Sequence, residues 1–359
     1  MSVKDVRDQQ RAVVSLTLVV ETCNAALDSA PPPPTVESID VLHKDLVSLL
    51  SLLYAATTKL SLSLKPSSPT YSASLSPLKD LADRVSALFH CANLFVPDTH
   101  GATLVREVHS LVRDVIGSIK ALAQTFLDIE ASGLRQSSGQ AGDEYMVRTA
   151  TVHSFLDRAR ALSANNLLAV RKRWAEDAAS LDDGLREVAD MVEEAQSPDD
   201  LEEDPDEMFD DGWGEIGIGK GQKMDLEELE RTKKVHGILR LAQLLHKRIL
   251  RDILSTTKEP PDNYTLDALS SLSHTLLSAS DELVSTLYTP QDPTKMETEV
   301  RLFRKLISDF QASFAKPDAL ETQLGALSLG SNNPSKWFDT CFVQLYKAVD
   351  ALDDSLRST

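Results

Sequence analysis

Apolar residues recur along this chain in long stripes at alternating steps of four and three. Leu104, Val108, Leu111, Val115, Ser118, Leu122 and Phe126 form one such stripe, which Ile116 and Ile119 widen. Trp174, Ala178, Leu181, Leu185, Val188 and Val192 repeat the alternation, as do Phe338, Phe342, Leu345, Val349, Leu352 and Leu356. Only a helix brings positions with that spacing onto one face, and the face must be buried against a neighbour. The prolines agree with this reading. The sixteen sit at 31–34, 66, 69, 77, 97, 198, 205, 260, 261, 290, 293, 317 and 334, between the periodic segments. Proline in a helix interior costs ~3 kcal/mol, so such spacing punctuates helices. The pattern predicts helices near 3–28, 36–64, 77–96, 100–130, 144–163, 165–195, 224–257, 264–288, 294–315 and 335–357. Ser76-Pro77 reads as an N-cap followed by proline at the first helical position. Leu60-Ser-Leu-Ser-Leu64 alternates like a strand but has no second strand to pair with, so it reads as a frayed helix end. The fold class is all-α: two antiparallel helical bundles.

Composition supports this class. Aromatic residues make up 5% and there are 14 glycines in 359 residues, which disfavours a β-sandwich or a glycine-rich nucleotide-binding sheet. At roughly 100–200 residues per domain the length suits two domains. The clearest boundary is the segment 196–223. Eleven acidic residues and no basic one lie between Glu193 and Asp211, with Asp199, Asp200, Glu202, Glu203, Asp204, Asp206, Glu207, Asp210 and Asp211 at its heart. The run Gly212–Gly221 then holds five of the glycines. Mutual repulsion and glycine entropy predict a flexible linker between an N-terminal bundle, 1–195, and a C-terminal bundle, 224–359. Shorter loops are expected at 131–143 and 316–334.

The net charge is −18, much of it in that one segment, and it argues against direct binding to nucleic acid or an anionic membrane. Three scattered cysteines, Cys23, Cys91 and Cys341, suit a reducing compartment. The apolar stretch Ala12–Val20 is bracketed by Asp5, Asp8 and Glu21 and does not read as a leader. No run of about 18 apolar residues is present, so no membrane span is expected. These features predict a soluble intracellular protein.

Sequence motifs offer little chemistry. Gly212-Trp-Gly-Glu-Ile-Gly217 matches GxGxxG, and Gly214–Lys220 matches GxxxxGK. Gly221 replaces the hydroxyl residue that would hold magnesium, no hydrophobic strand precedes either match, and the adjacent carboxylates repel phosphate. A calcium loop fails because Glu207 and Phe209 would fill its first and third ligand positions. The eight histidines show neither HExxH nor a paired Cys/His spacing and read as surface or half-buried residues. Ser255-Thr-Thr-Lys258 has no companion motif. The expectation is no enzyme, with no catalytic, cofactor-binding or metal-binding residues.

One helix carries more information. Arg231–Lys258 contains eight basic residues against Asp252 alone. Lys233, Arg240, Lys247, Arg251 and Lys258 stack on one face, opposite Val235, Ile238, Ala242, Leu245, Ile249 and Ile253. This basic stripe is the candidate docking surface for an acidic partner. The acidic run only some twenty residues upstream is expected to shield it until a partner displaces it. Ser197, followed by proline and then Asp199 and Asp200, is the candidate phosphorylation site, where a phosphate would enlarge the negative patch.

Gly101-Ala-Thr-Leu-Val-Arg-Glu-Val-His-Ser-Leu-Val-Arg113, Ser163-Ala-Asn-Asn-Leu-Leu-Ala-Val-Arg-Lys-Arg-Trp174 with Val188–Glu194, and Val235–Leu254 after the acidic run together resemble the cyclin-D-binding protein family over about 100–358. The resemblance implies a non-enzymatic helical-bundle adaptor that binds D-type cyclins and transcriptional regulators. It also implies restraint of cell-cycle progression and residence in cytoplasm and nucleus. The family offers no catalytic residues to carry over. Arg301-Leu-Phe-Arg-Lys-Leu-Ile307 contains an Arg-x-Leu element of the kind cyclins dock, although Leu302, Phe303 and Leu306 also suit a buried helix face. A cytoskeletal or adhesion-type scaffold built from similar bundles is the alternative reading.

Overall fold

The computed structural model describes residues 3–28, 37–132, 143–197, 224–255, 261–314 and 334–357. Among them there are eleven α-helices and no strand. They are α1 (Val3–Asp28), α2 (Ile39–Ser63), α3 (Tyr71–Asn93), the single turn α4 (Pro97–His100), α5 (Ala102–Ser132), α6 (Glu144–Arg158), α7 (Asn166–Gln196), α8 (Leu226–Asp252), α9 (Asn263–Ser285), α10 (Pro293–Phe314) and α11 (Pro334–Arg357). Of the expected acidic and glycine-rich linker, 196–223, residues 198–223 lie outside the described residues, and with them Asp199–Asp211; Lys258 also lies outside.

Two compact units divide the chain, Met1–Ala169 and Val170–Thr359. This differs from the expected boundary at 195. The stripe of Trp174, Leu181 and Val188 on α7 is buried, and its polar side chains bond to α8 and α9, so most of α7 belongs with the C-terminal helices. The compact units divide along the earlier apolar face of α7.

The N-terminal unit is an up-and-down assembly. Gln9 Nε2 and the Tyr71 hydroxyl both donate to the Glu130 carboxylate, at 2.9 and 2.7 Å, so α1 and α3 start beside the end of α5. Thr58 and Ser61 of α2 meet His153 and Thr149 of α6, an antiparallel pairing. Leu104, Val108, Val115, Ile116, Ile119, Leu122 and Phe126 of α5 are buried at its centre. The expected frayed end at 60–64 is instead regular helix to Ser63. Leu60, Ser61 and Leu64 are buried while Leu62 is exposed, and the Leu64 N–H closes the last turn on the Leu60 carbonyl. What alternates in sequence is therefore helical spacing with a serine on the buried side.

Pro77 is a second difference. It lies inside α3, which starts six residues earlier at Tyr71. The bond it forfeits, to the Ala73 carbonyl, is offset by burying Tyr71, Ser74 and Pro77 itself and by the Tyr71–Glu130 bond. By length and composition alone α2 could cross a membrane, contrary to the expectation that no segment would qualify. One face of it, Leu42, Leu46, Leu50, Leu53 and Leu60, fills the unit's core.

In the C-terminal unit α11 runs antiparallel to α8 and α10. Arg248 lies over the Trp337 ring at 5.1 Å while Lys234 reaches the Ala351 carbonyl, and Arg304 pairs with Asp350 at 2.8 Å. Phe303, Phe310, Phe342, Leu345 and Val349 are buried between them. Within the candidate docking element, Phe303, Leu306 and Ile307 are core residues and Leu302 alone of its apolar side chains is exposed.

Candidate interaction surface

Helix α8 starts with a capping box: Asp225 accepts from the Glu228 N–H at 2.7 Å, and Glu228 accepts from the Asp225 N–H at 3.1 Å. Its apolar face is as expected, with Val235, Ile238, Ala242, Leu245, Ile249 and Ile253 all buried. The eight basic residues do not share one fate. Arg231 is buried, donating to Gln291 Oε1 at 3.0 Å and lying 3.7 Å from Glu227. Arg248 pairs with Asp252 beneath the Trp337 ring. The +7 local charge is thus partly consumed inside the unit.

The stripe itself is solvent-facing but mostly paired. Lys233 is bound to Glu230 at 2.8 Å, Lys247 to Asp182 of α7 at 2.9 Å, and Arg251 to Asp252 at 2.8 Å. Arg240 is exposed and has no ion pair among the described residues. Leu244, 45% exposed, sits between Arg240 and Lys247 on the same face. The structure therefore presents Arg240, Leu244, Lys247 and Arg251 at steps of four, three and four: an apolar centre flanked by cations. Ser197, at the end of α7, is exposed, and its hydroxyl bonds the Glu193 carbonyl at 3.0 Å.

Sequence reasoning missed two buried polar clusters. In the first, Trp174 stacks on His246 with ring centroids 4.4 Å apart and donates from Nε1 to the His246 carbonyl at 3.0 Å. His246 Nε2 is 2.8 Å from Ser273 Oγ, which donates to Asp177 Oδ2 at 2.6 Å. Since the Ser273 proton goes to the carboxylate, Oγ accepts from His246, which is the Nε2–H tautomer. Burial pushes the imidazole down to about 3, so it is neutral at physiological pH. A serine nucleophile would donate to the histidine; here the proton runs the other way, and all three groups are buried. The network ties α7, α8 and α9 together. His246, expected at or near the surface, belongs in the core. Its signal was its position beside Leu245 and one turn after Ala242, on the apolar face.

In the second cluster Gln291 donates its backbone N–H to Glu228 Oε1 at 2.8 Å, and its side-chain amide serves Thr232 Oγ1 and the Glu228 and Leu287 carbonyls. This ties the α9–α10 connection to the first turn of α8. At the other end of α8, Arg171 Nη1 donates to the carbonyls of Leu250 and Leu254 at 3.2 and 2.7 Å, where carbonyls lack helical partners.

The stretches that suggested the family now have physical reasons. Gly101 has φ +88°, and a Cβ there would overlap the Asn166 side chain. Asn166 Oδ1 in turn accepts from the Leu104 N–H at 3.1 Å, capping α5 from sixty residues away. Trp174 anchors α7 as described above.

A family model described as the N-terminal region of Grap2 and cyclin-D-interacting proteins matches residues 45–194, and its C-terminal counterpart matches 209–312. The chain belongs to the Grap2 and cyclin-D-interacting family. The match begins earlier and ends earlier than the resemblance over 100–358 implied: most of α2 and all of α3 lie within it, and α1 and α11 lie outside. No curated relative matches the chain. Both polar clusters and the whole α8 face fall within the matched family regions.

Proposed function

We propose that this chain is a non-enzymatic adaptor that binds cyclin-type and transcription-regulator proteins and restrains cell-cycle progression and transcription. The observation that carries the reading is the pair of family matches, to 45–194 and 209–312, since the family is described by its interaction with Grap2 and cyclin D. The solvent-facing group Arg240, Leu244, Lys247 and Arg251 supports it, being suited to an acidic partner with an apolar contact at its centre. The adaptor works in cytoplasm and nucleus, needs no cofactor, and contacts neither nucleic acid nor membrane directly. Phosphorylation of Ser197 adds charge at the start of the acidic segment and strengthens its competition for the α8 face.

The test is calorimetric titration of the purified full chain with a purified D-type cyclin, paired with affinity purification at physiological salt. Saturable binding that weakens with salt, together with recovery of cell-cycle or transcription regulators, supports the proposal. No heat of binding and a chain that purifies alone would refute it.

A further inference from the structure

Helix α1 has two seams. Ala12, Leu16, Val19, Cys23 and Ala26 step by four and three and are buried in the core of the N-terminal unit. A second set, Arg7, Arg11, Val14 and Leu18, steps by four, three and four on another face, with Val14 69% and Leu18 54% exposed. This second seam faces α3 across an open trough of about 750 Å³, whose other wall is Leu75, Leu78, Lys79, Ala82 and Asp83. Leu78 and Ala82 are buried at its base and Leu75 is half-buried on its wall.

We infer that this trough docks a helix of another protein, one with an apolar stripe flanked by acidic residues. Shape supports this. Two helices that start at the same end, held there by the shared Glu130 carboxylate, leave between them the long depression into which a third helix packs. From Arg7 to Leu18 the wall is roughly 16 Å long, about three turns of a docked helix. Chemistry supports it too. Val14 and Leu18 stand out of a helix that already has a full buried seam, so they are not needed for the unit's own core. The rim has Arg7, Arg11 and Lys79 against Asp83, a local positive excess on a chain of net charge −18. Arg11 lies 3.8 Å from Asp8, and among the described residues Arg7 and Lys79 form no ion pair. Cations beside an exposed leucine and valine favour a ligand that offers carboxylates beside its own apolar residues. A second copy of this acidic chain is a weaker fit, because the trough would meet its own cationic rim in a two-fold pairing. The inference is independent of the proposed function. The trough's α1 wall precedes the matched family region, and the site is distinct from the α8 face.

The experiment uses the full chain and a designed, fluorescein-labelled helical peptide of about 18 residues, with leucine along one seam and glutamate on both flanks, read by anisotropy. A version with lysine in place of glutamate and one with serine in place of leucine are controls. Saturable binding of the glutamate peptide is expected, weakened about tenfold or more by Val14→Asp with Leu18→Asp. A similar loss is expected for Arg7→Glu with Arg11→Glu and Lys79→Glu, and at least one control peptide should bind as weakly. These side chains are exposed, and unchanged helical circular dichroism and thermal midpoint confirm folding. Absence of binding overturns the inference. So does binding indifferent to the trough variants but lost in Arg240→Glu with Lys247→Glu. Concentration-dependent dimerisation abolished by the Val14 and Leu18 changes would also overturn it, by replacing the helix with a second copy.

Discussion

The two units solve the same packing problem with different interiors. The N-terminal unit buries leucine, valine, isoleucine and alanine almost throughout; among its buried polar residues Ser74, Ser118 and Thr125 bond carbonyls of their own turn, while Ser61, His100 and Asn166 each bond to a segment remote in sequence. The C-terminal unit buries Asp177, Glu228, Arg231 and His246, joined in two networks that link helices far apart in sequence. Apolar seams tolerate sliding and exchange of one aliphatic residue for another, whereas a hydrogen-bonded pair accepts a single arrangement. Both units use sequence-remote hydrogen bonds to fix helix register, but among the described residues only in the C-terminal unit do carboxylates and a guanidinium take part from within the core. The C-terminal unit also carries the proposed docking face of α8, on which Arg240, Leu244 and Lys247 stand.

Several substitutions can break this contrast. The largest effect is expected from Trp174→Ala, which empties a fully buried site and removes the donor to the His246 carbonyl; it should cost about 4 kcal/mol in urea unfolding, with the C-terminal unit unfolding first. Gly101→Ala tests the exception in the N-terminal unit. With φ +88° and the Asn166 side chain in the way, it should cost about 2–3 kcal/mol, seen as a lower urea midpoint. Loss below ~0.5 kcal/mol would mean that this turn is not fixed as described.

A pH titration sharpens the contrast further. His246 titrates near 3 when folded and near ~6.5 when unfolded. Between those values only the unfolded chain binds the proton, so stability is full above about pH 6.5 and declines as pH falls towards the folded value. The His246 contribution should be about 2 kcal/mol between pH 7 and pH 5, measured as the difference in slope between the parent chain and His246→Leu. His153 in the other unit, also lowered by burial but stacked half-exposed on Tyr54, should contribute in the same direction and by less. The smallest effect belongs to Lys247–Asp182, whose side chains are 50% and 38% exposed; a double-mutant cycle should give about 0.5 kcal/mol and fade with salt.

Most of the fold was legible because binary patterning carries it. The stripes on α5, α7 and α11 identified helices whose observed limits differ from the expected ones by a few residues. Pro77 was misplaced because a start signal, serine then proline, outweighed a tyrosine whose partner Glu130 is remote in sequence. The compact units divide earlier than the charge pattern does, because α7 joins its core through Trp174 and Asp177, while the two family matches divide near the charge boundary. The basic residues of α8 were visible as periodicity, but their pairing was not, since Asp182 lies on α7 and Gln291 in the α9–α10 connection. A polar residue on an apolar face, such as Asp177 or His246, is the sequence sign of such a network, and only the fold shows its partner.

The most direct measurement compares binding of the proposed cyclin-type partner to three forms of the full chain: the parent, Arg240→Glu with Leu244→Asp, and His246→Leu. If the α8 face is the docking surface and the buried network only shapes it, the surface variant keeps its thermal midpoint and loses about tenfold or more in affinity. The His246 variant, once shown to be folded, binds as the parent does. Undiminished affinity of the surface variant, or lost binding by a fully folded His246 variant alone, would contradict that division of labour.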